Sequence, residues 1–195
     1  TTYEVTMQLV DYSGNVIVED QVTFYIETMP VRLMLQGVID FTVPEGGASG
    51  KAIHLYAIED IADLSIYGIG VANNGGGTDG IEYNLDAISA MAGDHILIAR
   101  DVAAMDSYMN ASTYWPIVML ANSSISMNGD DAIELFLNDE VIETFGNING
   151  DGTGEDWEYT DAWAYKVDGE GGVHQWTFGE IDCTDNSSTI WDTSC

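Results

Sequence analysis

Short runs of β-forming residues recur along most of this chain, and turns rich in Gly, Asn and Asp separate each run from the next. Runs this short and this regularly spaced are typical of antiparallel sandwiches and barrels, whereas a βαβ fold places a helix between successive strands. The sequence therefore predicts an all-β protein. The runs cover residues 33–43, 51–58, 64–72, 80–85, 94–99, 116–120, 132–137, 141–146 and 161–167.

Two local patterns complete this prediction. Asn138 and Asp139 stand between two of the runs, and both residue types tolerate positive φ, so they suit a two-residue hairpin turn. Only residues 101–109 have helical spacing, with Asp101 as the N-cap and Val102, Met105 and Met109 on one face. We therefore expect at most one short helix.

The first thirty residues form a separate unit in the sequence. Apolar and polar residues alternate on both sides of the turn at residues 11–15, which predicts a hairpin of two half-buried strands. A lone hairpin is marginal in water, so we expect it to dock on a further sheet. Because Pro30 cannot continue a β-ladder, we divide the chain into a hairpin unit, 1–30, and a sandwich domain, 31–195.

The charge balance excludes several classes of partner. The chain has 33 acidic residues against 4 lysines and arginines, for a net charge of −29. Nucleic acids and anionic membranes bind through clustered basic residues, so we expect neither as a partner. At 46% hydrophobic residues the chain has enough apolar surface to fold. It contains no apolar run long enough to span a membrane, so we expect no direct membrane insertion, and we expect any export signal to have been removed or to lie outside this sequence.

The strongest candidate for a metal site is the loop at residues 147–158. Its oxygen-bearing and glycine residues follow the spacing of a twelve-residue calcium loop. The candidate ligands are Asn147, Asn149, Asp151, Glu155 and Glu158. The alternative is an acidic, glycine-rich loop without metal. A second acidic group, residues 128–131, can form a metal corner or a sugar-binding rim, but turn formation is the favoured interpretation.

Tryptophans supply the candidate ligand-binding residues. Trp115, Trp157 and Trp191 flank turns or acidic loops, where an exposed indole can stack on the C–H face of a sugar ring. Asp156 lies beside Trp157 and can accept hydrogen bonds from sugar hydroxyls. Packing against the core is the alternative for these three tryptophans, and it is the favoured role for Trp163 and Trp176.

No catalytic constellation stands out. Carboxylates are so numerous that some pair lies at any separation, so their number says nothing about hydrolysis. The chain lacks a G-x-S-x-G nucleophile elbow, a P-loop and a dinucleotide fingerprint. His54, His95 and His174 are isolated in the sequence, and a hydrogen-bonded or half-exposed histidine is commoner in a strand than a zinc ligand. We expect no enzymatic activity.

The only two cysteines, Cys183 and Cys195, are spaced so that a disulfide between them would close a surface loop. Such a bond is typical of oxidising compartments. Two free thiols are the alternative.

Several segments together resemble the lamin-tail domain of secreted bacterial proteins. They are KAIHLY (51–56), DLSIYGI (63–69), AMAGDHILIAR (90–100), MNGDDAIELFLNDEVIETFG (127–146) and DGTGEDWEYTDAWAYK (151–166). The sequence differs from the family at His54, usually Glu, at Ala57, often Asn, and at Tyr67, often Trp. The resemblance implies an immunoglobulin-like antiparallel β-sandwich that acts as a non-catalytic passenger.

Two further resemblances concern the ends of the chain. Residues 1–30, which include the run TYEVTMQLVDYSGN (2–15), resemble the closing strands of PKD-type immunoglobulin-like domains, so this unit is either the end of a PKD-like module or an N-terminal extension. The terminal segment from Trp176 to Cys195, which begins WTFGEIDCTD and ends in Ser-Cys, resembles the ending of such surface proteins, which supports a Cys183–Cys195 disulfide. Related domains occur in surface lipoproteins with PKD modules, polysaccharide-utilisation proteins and extracellular nucleases.

Together these features predict a non-catalytic module at the outer cell surface or outside the cell. We expect it to bind a polysaccharide or to act as a spacer beside another surface protein, with calcium as a candidate cofactor. A subunit of a surface fibre that uses the N-terminal hairpin for strand addition is one alternative. An accessory domain of a secreted nuclease is the other.

Overall fold

The computed structural model describes residues 2–25, 31–43, 47–168 and 174–195. The chain divides into two compact units, Thr1–Val31 and Arg32–Cys195. In the first unit, β1 (Thr2–Val10) and β2 (Val16–Tyr25) form the predicted antiparallel hairpin. Asp11 holds the turn, because its Oδ1 accepts hydrogen bonds from the backbone amides of Ser13 and Asn15, each at 2.8 Å.

Across its described residues, the second unit contains ten strands in two sheets. The four-stranded sheet has the order β10-β9-β5-β6, and the six-stranded sheet has the order β12-β11-β3-β4-β7-β8. The predicted all-β sandwich is confirmed. Its strands are β3 (Leu33–Phe41), β4 (Gly50–Ala57), β5 (Tyr67–Ala72), β6 (Tyr83–Asn84), β7 (His95–Ala99), β8 (Ile117–Leu120), β9 (Ala132–Leu137), β10 (Glu140–Phe145), β11 (Trp163–Asp168) and β12 (His174–Phe178).

One strand pair departs from the antiparallel pattern. β8 lies parallel to β7, with Ile96 opposite Ile117. A parallel neighbour needs a crossover connection, and the helical segment supplies it. The predicted helix is α1 (Val102–Met109), with Asp101 capping the amide of Ala104 at 3.0 Å. A single helical turn, α2 (Ala111–Tyr114), follows it and completes the crossover.

Several boundaries differ from the sequence-based prediction. Leu64–Ile66 form a 3-10 turn ahead of β5, and further 3-10 turns lie at Asn73–Gly75, Asn122–Ser124 and Ile190–Asp192. β12, at the edge of the larger sheet, was not predicted. The turn between β9 and β10 is confirmed, because Asn138 and Asp139 have φ values of 48° and 67°.

Two hydrophobic cores lie on opposite faces of the six-stranded sheet. The inter-sheet core contains alternate residues of its strands, such as Ile53 and Leu55 on β4, packed against the four-stranded sheet. The second core contains residues that point to the opposite face, such as Ala52 on β4 and Leu97 on β7, and part of it lies under Met105 and Tyr108 of α1. The helical crossover therefore gives the outer face of this sheet its own cover.

Candidate functional site

The outer face of the six-stranded sheet carries a cluster of aromatic and histidine side chains. Because Ile53 and Leu55 point into the inter-sheet core, His54 between them projects from the opposite face. We call this cluster the aromatic face. It consists of His54 and Tyr56 on β4, His95 on β7, Trp163 and Tyr165 on β11, and Trp115 directly after α2.

The rings of the aromatic face form a continuous series of close contacts. Ring centroids are 6.1 Å apart for Trp163 and Tyr165, and 5.4 Å apart for Tyr165 and His54. The series continues from His54 to His95 at 4.9 Å and from His95 to Tyr56 at 5.1 Å. These separations lie in the range of favourable offset or tilted ring contacts, so the rings hold one another in place.

Strand register brings these rings together. Tyr165 pairs with Gly37 of β3, Gly37 pairs with His54 of β4, and Tyr56 pairs with His95 of β7. A Cβ atom on Gly37 would lie 2.6 Å from Cε2 of Tyr165. Glycine at this position therefore allows the Tyr165 ring to lie over β3 and reach His54.

A hydrogen-bonded chain runs through the centre of the face. Tyr165 Oη is 2.8 Å from Nδ1 of His54, and Nε2 of His54 is 2.8 Å from Nδ1 of His95. His54 is only 4% exposed. Its burial, and next the neighbouring His95, lower the pKa of His54 to about 3, and burial also raises the pKa of Tyr165. His54 and Tyr165 are therefore uncharged at neutral pH.

An open cavity of about 380 Å³ adjoins one end of the aromatic face. Trp163 and Tyr165 form part of its wall, and Thr177 contributes a hydroxyl group. The remaining lining residues are apolar: Ile39, Phe41, Met109 and Val167. Its volume lies within the usual range of about 300–1,000 Å³ for small-molecule sites. The arrangement offers ring faces and apolar surface at an opening on the sheet.

Trp115 lies on the aromatic face as a half-buried side chain. Its ring meets His54 edge-on, with centroids 5.5 Å apart. The indole Nε1 is buried and has no hydrogen-bond partner among the described residues. Beside it Tyr114 is 57% exposed, with ring centroids 6.5 Å apart. Of the four predicted ligand-binding residues, Trp115 is the one that belongs to this face.

Trp157 and Asp156 lie elsewhere. Trp157 is half-buried and packs on the inter-sheet core, with its ring centroid 6.1 Å from that of Phe145. Cβ atoms on Gly146 and Gly152 would lie 2.8 and 2.7 Å from atoms of the Trp157 ring, so the indole closes over two glycines. Asp156 beside it is exposed. This placement gives Trp157 the packing role that the sequence analysis held as its alternative.

The other tryptophans divide between packing and exposure. Trp191 is 70% exposed, in the C-terminal 3-10 turn whose Ile190 packs on the outer core. Trp176 packs on the inter-sheet core, as predicted, 4.6 Å from the ring centroid of Phe145. Trp163 also packs, on the outer core, but it lines the open cavity as well.

The predicted calcium loop uses several of its oxygens to hold its own backbone. Asn147 Oδ1 accepts a hydrogen bond from the amide of Asn149, and Asp151 Oδ1 accepts one from the amide of Thr153. Both Glu158 carboxylate oxygens also accept hydrogen bonds, from the Gly154 amide and the Thr160 hydroxyl. Glu155 is exposed. The Asn147 and Asp151 bonds are the Asx-type turns expected of an acidic, glycine-rich loop.

A different acidic group has its carboxylates close together. Among the described residues, Asp161, Asp182 and Asp185 form one set whose oxygens lie within 4.8 Å of one another. The Cys183–Cys195 disulfide is confirmed, with Cα atoms 5.2 Å apart, and it anchors this segment. Backbone and hydroxyl of Thr184 both donate to the carbonyl of Asp161, at 3.1 and 2.7 Å, so the segment wraps around Asp161.

The acidic group at 128–131 forms the turn that was favoured for it. Asp131 is fully buried and accepts hydrogen bonds from the side chain of Asn73 and from the amides of Asn74 and Asn128. Asp130 accepts a bond from the Thr153 hydroxyl at 2.8 Å, which ties this turn to the 147–158 loop. Burial raises the pKa of Asp130.

Most of the aromatic face was not predicted from the sequence. A signal was present, because His54 and Tyr56, like Trp163 and Tyr165, are two residues apart and therefore share one face of their strand. That spacing does not reveal which strands are neighbours. The expectation that His54 is a hydrogen-bonded strand histidine is confirmed.

A scan of protein-family models, a search of curated proteins and a search of solved structures each give no match to this chain. Within the described part of the chain, no helix has the length and apolar character needed to cross a membrane.

Proposed function

We propose that this protein is a non-catalytic, extracellular module that binds polysaccharide through the aromatic face. The observation that carries the proposal is the series of ring contacts beside an open cavity of about 380 Å³ lined by Trp163 and Tyr165. Ring faces pack against the C–H faces of sugars, and an opening on a sheet suits a chain better than a closed pocket does. The disulfide is compatible with the proposed location outside the cell.

Affinity electrophoresis and calorimetry on a panel of uncharged polysaccharides test this proposal. The panel contains hydroxyethylcellulose, guar galactomannan, mixed-linkage β-glucan, laminarin, xyloglucan and pullulan. We expect retardation by at least one polymer, and Trp163→Ala should weaken that binding by about tenfold or more, as loss of a buried aromatic contact does.

Trp191→Ala is the matched control, because it removes an indole that is 70% exposed outside the aromatic face. It should bind like the wild type. Trp163→Phe keeps a ring on the cavity wall and should restore part of the affinity, which separates a contact from a folding defect. Failure of every polymer, or equal losses in Trp163→Ala and Trp191→Ala, would contradict the proposal.

We propose calcium as a structural cofactor, with the 147–158 loop and the Asp161, Asp182 and Asp185 group as the two candidate places. A cation that binds only the folded protein raises its melting temperature. We expect added calcium to raise the melting temperature and a chelator to lower it. Asp151→Asn should remove the shift if the loop binds the ion, and Asp185→Asn should remove it if the other group does. No shift in the wild type would contradict calcium binding.

The N-terminal hairpin supports a second proposal, strand addition to a neighbouring sheet. Val5, Met7 and Leu9 alternate along β1 and are 46%, 56% and 60% exposed, with Val18 opposite Leu9 also exposed. An apolar face on a two-stranded sheet favours pairing with more β-structure. Sedimentation velocity of the full chain should show self-association that Met7→Lys abolishes and Gln8→Lys does not. A monomer at all concentrations would contradict it.

A further inference from the structure

We propose that the polysaccharide bound by the aromatic face is uncharged, and that acidic polysaccharides are excluded. This inference rests on the proposed function and adds the chemical class of the ligand. An anionic chain binds protein by replacing its counterions with lysine and arginine side chains. The availability of those side chains therefore decides whether such a chain can bind.

The two lysines are committed to ion pairs inside the fold. Lys51 Nζ is 2.6 Å from Oδ1 of Asp40, and both side chains are less than a tenth exposed. Lys166 pairs with Glu143 of the other sheet, and its ammonium group lies 5.3 Å from the centroid of the Trp176 ring. Releasing Lys51 to a ligand would leave the buried Asp40 carboxylate without its partner, which is costly, and releasing Lys166 would separate it from the partly buried Glu143.

The two arginines are also engaged within the protein. Arg32 has a side chain that is 44% exposed; its Nε is 3.4 Å from a carboxylate oxygen of Glu59 and its Nη1 donates to the carbonyl of Asp60, so this exposed cation already faces an acid of the protein. Arg100 Nη1 donates to the carbonyl of Ile125 at 3.0 Å. All four basic residues of the chain belong to its described part, and each has a partner there.

The cavity side of the aromatic face offers apolar surface and ring faces instead of charge. Its seven lining residues are uncharged, and His54 in the centre is buried. Around this surface the protein carries a net charge of −29, which repels a polyanion over about 10 Å at an ionic strength of about 0.1 M. An uncharged polysaccharide is not repelled by this net charge and can still stack on Trp163 and Tyr165.

Matched derivatives of one polymer test this inference. Each panel polysaccharide is compared with its own carboxymethyl and quaternary-ammonium derivatives at the same low degree of substitution, by calorimetry at low and high salt. We expect the uncharged parent to bind with an affinity that changes less than about twofold with salt. The carboxymethyl derivative should bind at least about tenfold more weakly at low salt and recover as salt rises.

The cationic derivative separates long-range attraction to the acidic protein surface from stacking on the aromatic face. It should bind tightly at low salt and lose that binding steeply with added salt, and at low salt Trp163→Ala should still bind it more tightly than it binds the uncharged parent, because attraction to the acidic surface adds to stacking. Binding of a carboxymethyl derivative at low salt as tightly as its parent would overturn the inference while leaving the proposed function intact. Absence of binding by every uncharged parent would overturn the proposed function, and this inference with it.

Discussion

The two faces of the six-stranded sheet differ, although the same strands build both. On β4, Ile53 and Leu55 are fully buried against the second sheet, and His54 between them joins an aromatic cluster beside an open cavity. The inner face obeys one requirement, the burial of apolar side chains. The outer face buries side chains as well, His54 among them at 4% exposed, but no second sheet of the described residues lies against it. The comparison teaches that a buried polar group is tolerated on this face because tyrosine and histidine partners satisfy its hydrogen bonds.

The largest expected loss of stability comes from truncating a side chain in the inter-sheet core. Ile53→Ala removes a fully buried side chain between two sheets and should lower the free energy of unfolding by about 2–5 kcal/mol. Ile39→Ala, the same change on the outer face, borders the open cavity, where neighbours and water can adapt, so it should cost less. Urea denaturation measures both. Equal losses would show that the two faces are packed alike.

A methyl group at Gly37 should disturb the outer face alone. The new Cβ would lie 2.6 Å from the Tyr165 ring, so Gly37→Ala should cost about 1–3 kcal/mol of stability and weaken polysaccharide binding. In a Tyr165→Ala background the same substitution should cost much less, because the obstructing ring is gone. A double-mutant cycle checks this, and additive losses would show that Tyr165 is not the cause.

Lowering the pH should destabilise the outer face, because His54 is buried there in its neutral form. Its pKa is about 3 in the folded protein against 6.5 as a free side chain, so the unfolded state binds the proton first. Stability from this residue is complete above the unfolded value and is lost as the pH falls from 6.5 towards 3. The expected loss is about 2 kcal/mol between about pH 8 and about pH 5.

His54→Gln removes that titration, and its stability should fall less over the same pH interval. His174→Gln is the control, because His174 is an exposed histidine outside the aromatic face. Thermal or urea unfolding across the interval measures the three slopes. Parallel curves for the wild type and His54→Gln would contradict a folded pKa of about 3.

The smallest expected effect comes from a single hydroxyl group. Tyr165→Phe keeps the ring and removes the oxygen that lies 2.8 Å from Nδ1 of His54, so it should cost about 0.5–1.5 kcal/mol. Polysaccharide affinity should change little, because the ring face remains. Calorimetry measures the affinity and denaturation the stability, and a large loss of affinity would make the hydroxyl a ligand contact.

Sequence patterns predicted much of the fold because they report local rules. The β9–β10 turn followed from two residues that tolerate positive φ, and the start of α1 followed from the capping Asp101. β12 was missed because a five-residue edge strand carries little pattern of its own. The parallel pairing of β8 with β7 was missed because a strand's own sequence does not identify its neighbour.

The candidate site was less predictable than the fold. Exposure beside turns suggested Trp115, Trp157 and Trp191, but exposure depends on what packs over a side chain. Trp157 closes over Gly146 and Gly152, and only Trp115 reaches the aromatic face. Tyr165 and His54 are 111 residues apart in the chain, and they meet because Gly37 lies between their strands.

The sequence by itself determined the all-β class, the two-residue turn, the helix start and the net charge of −29, since each depends on residue types or on spacings along one segment. Tertiary structure alone decided which strands became neighbours, which tryptophans stayed open and where the four basic side chains found partners. The reason is that a strand's periodicity sets the face on which a side chain lies. Its position in the sheet, and the register of the strands beside it, set what that side chain meets.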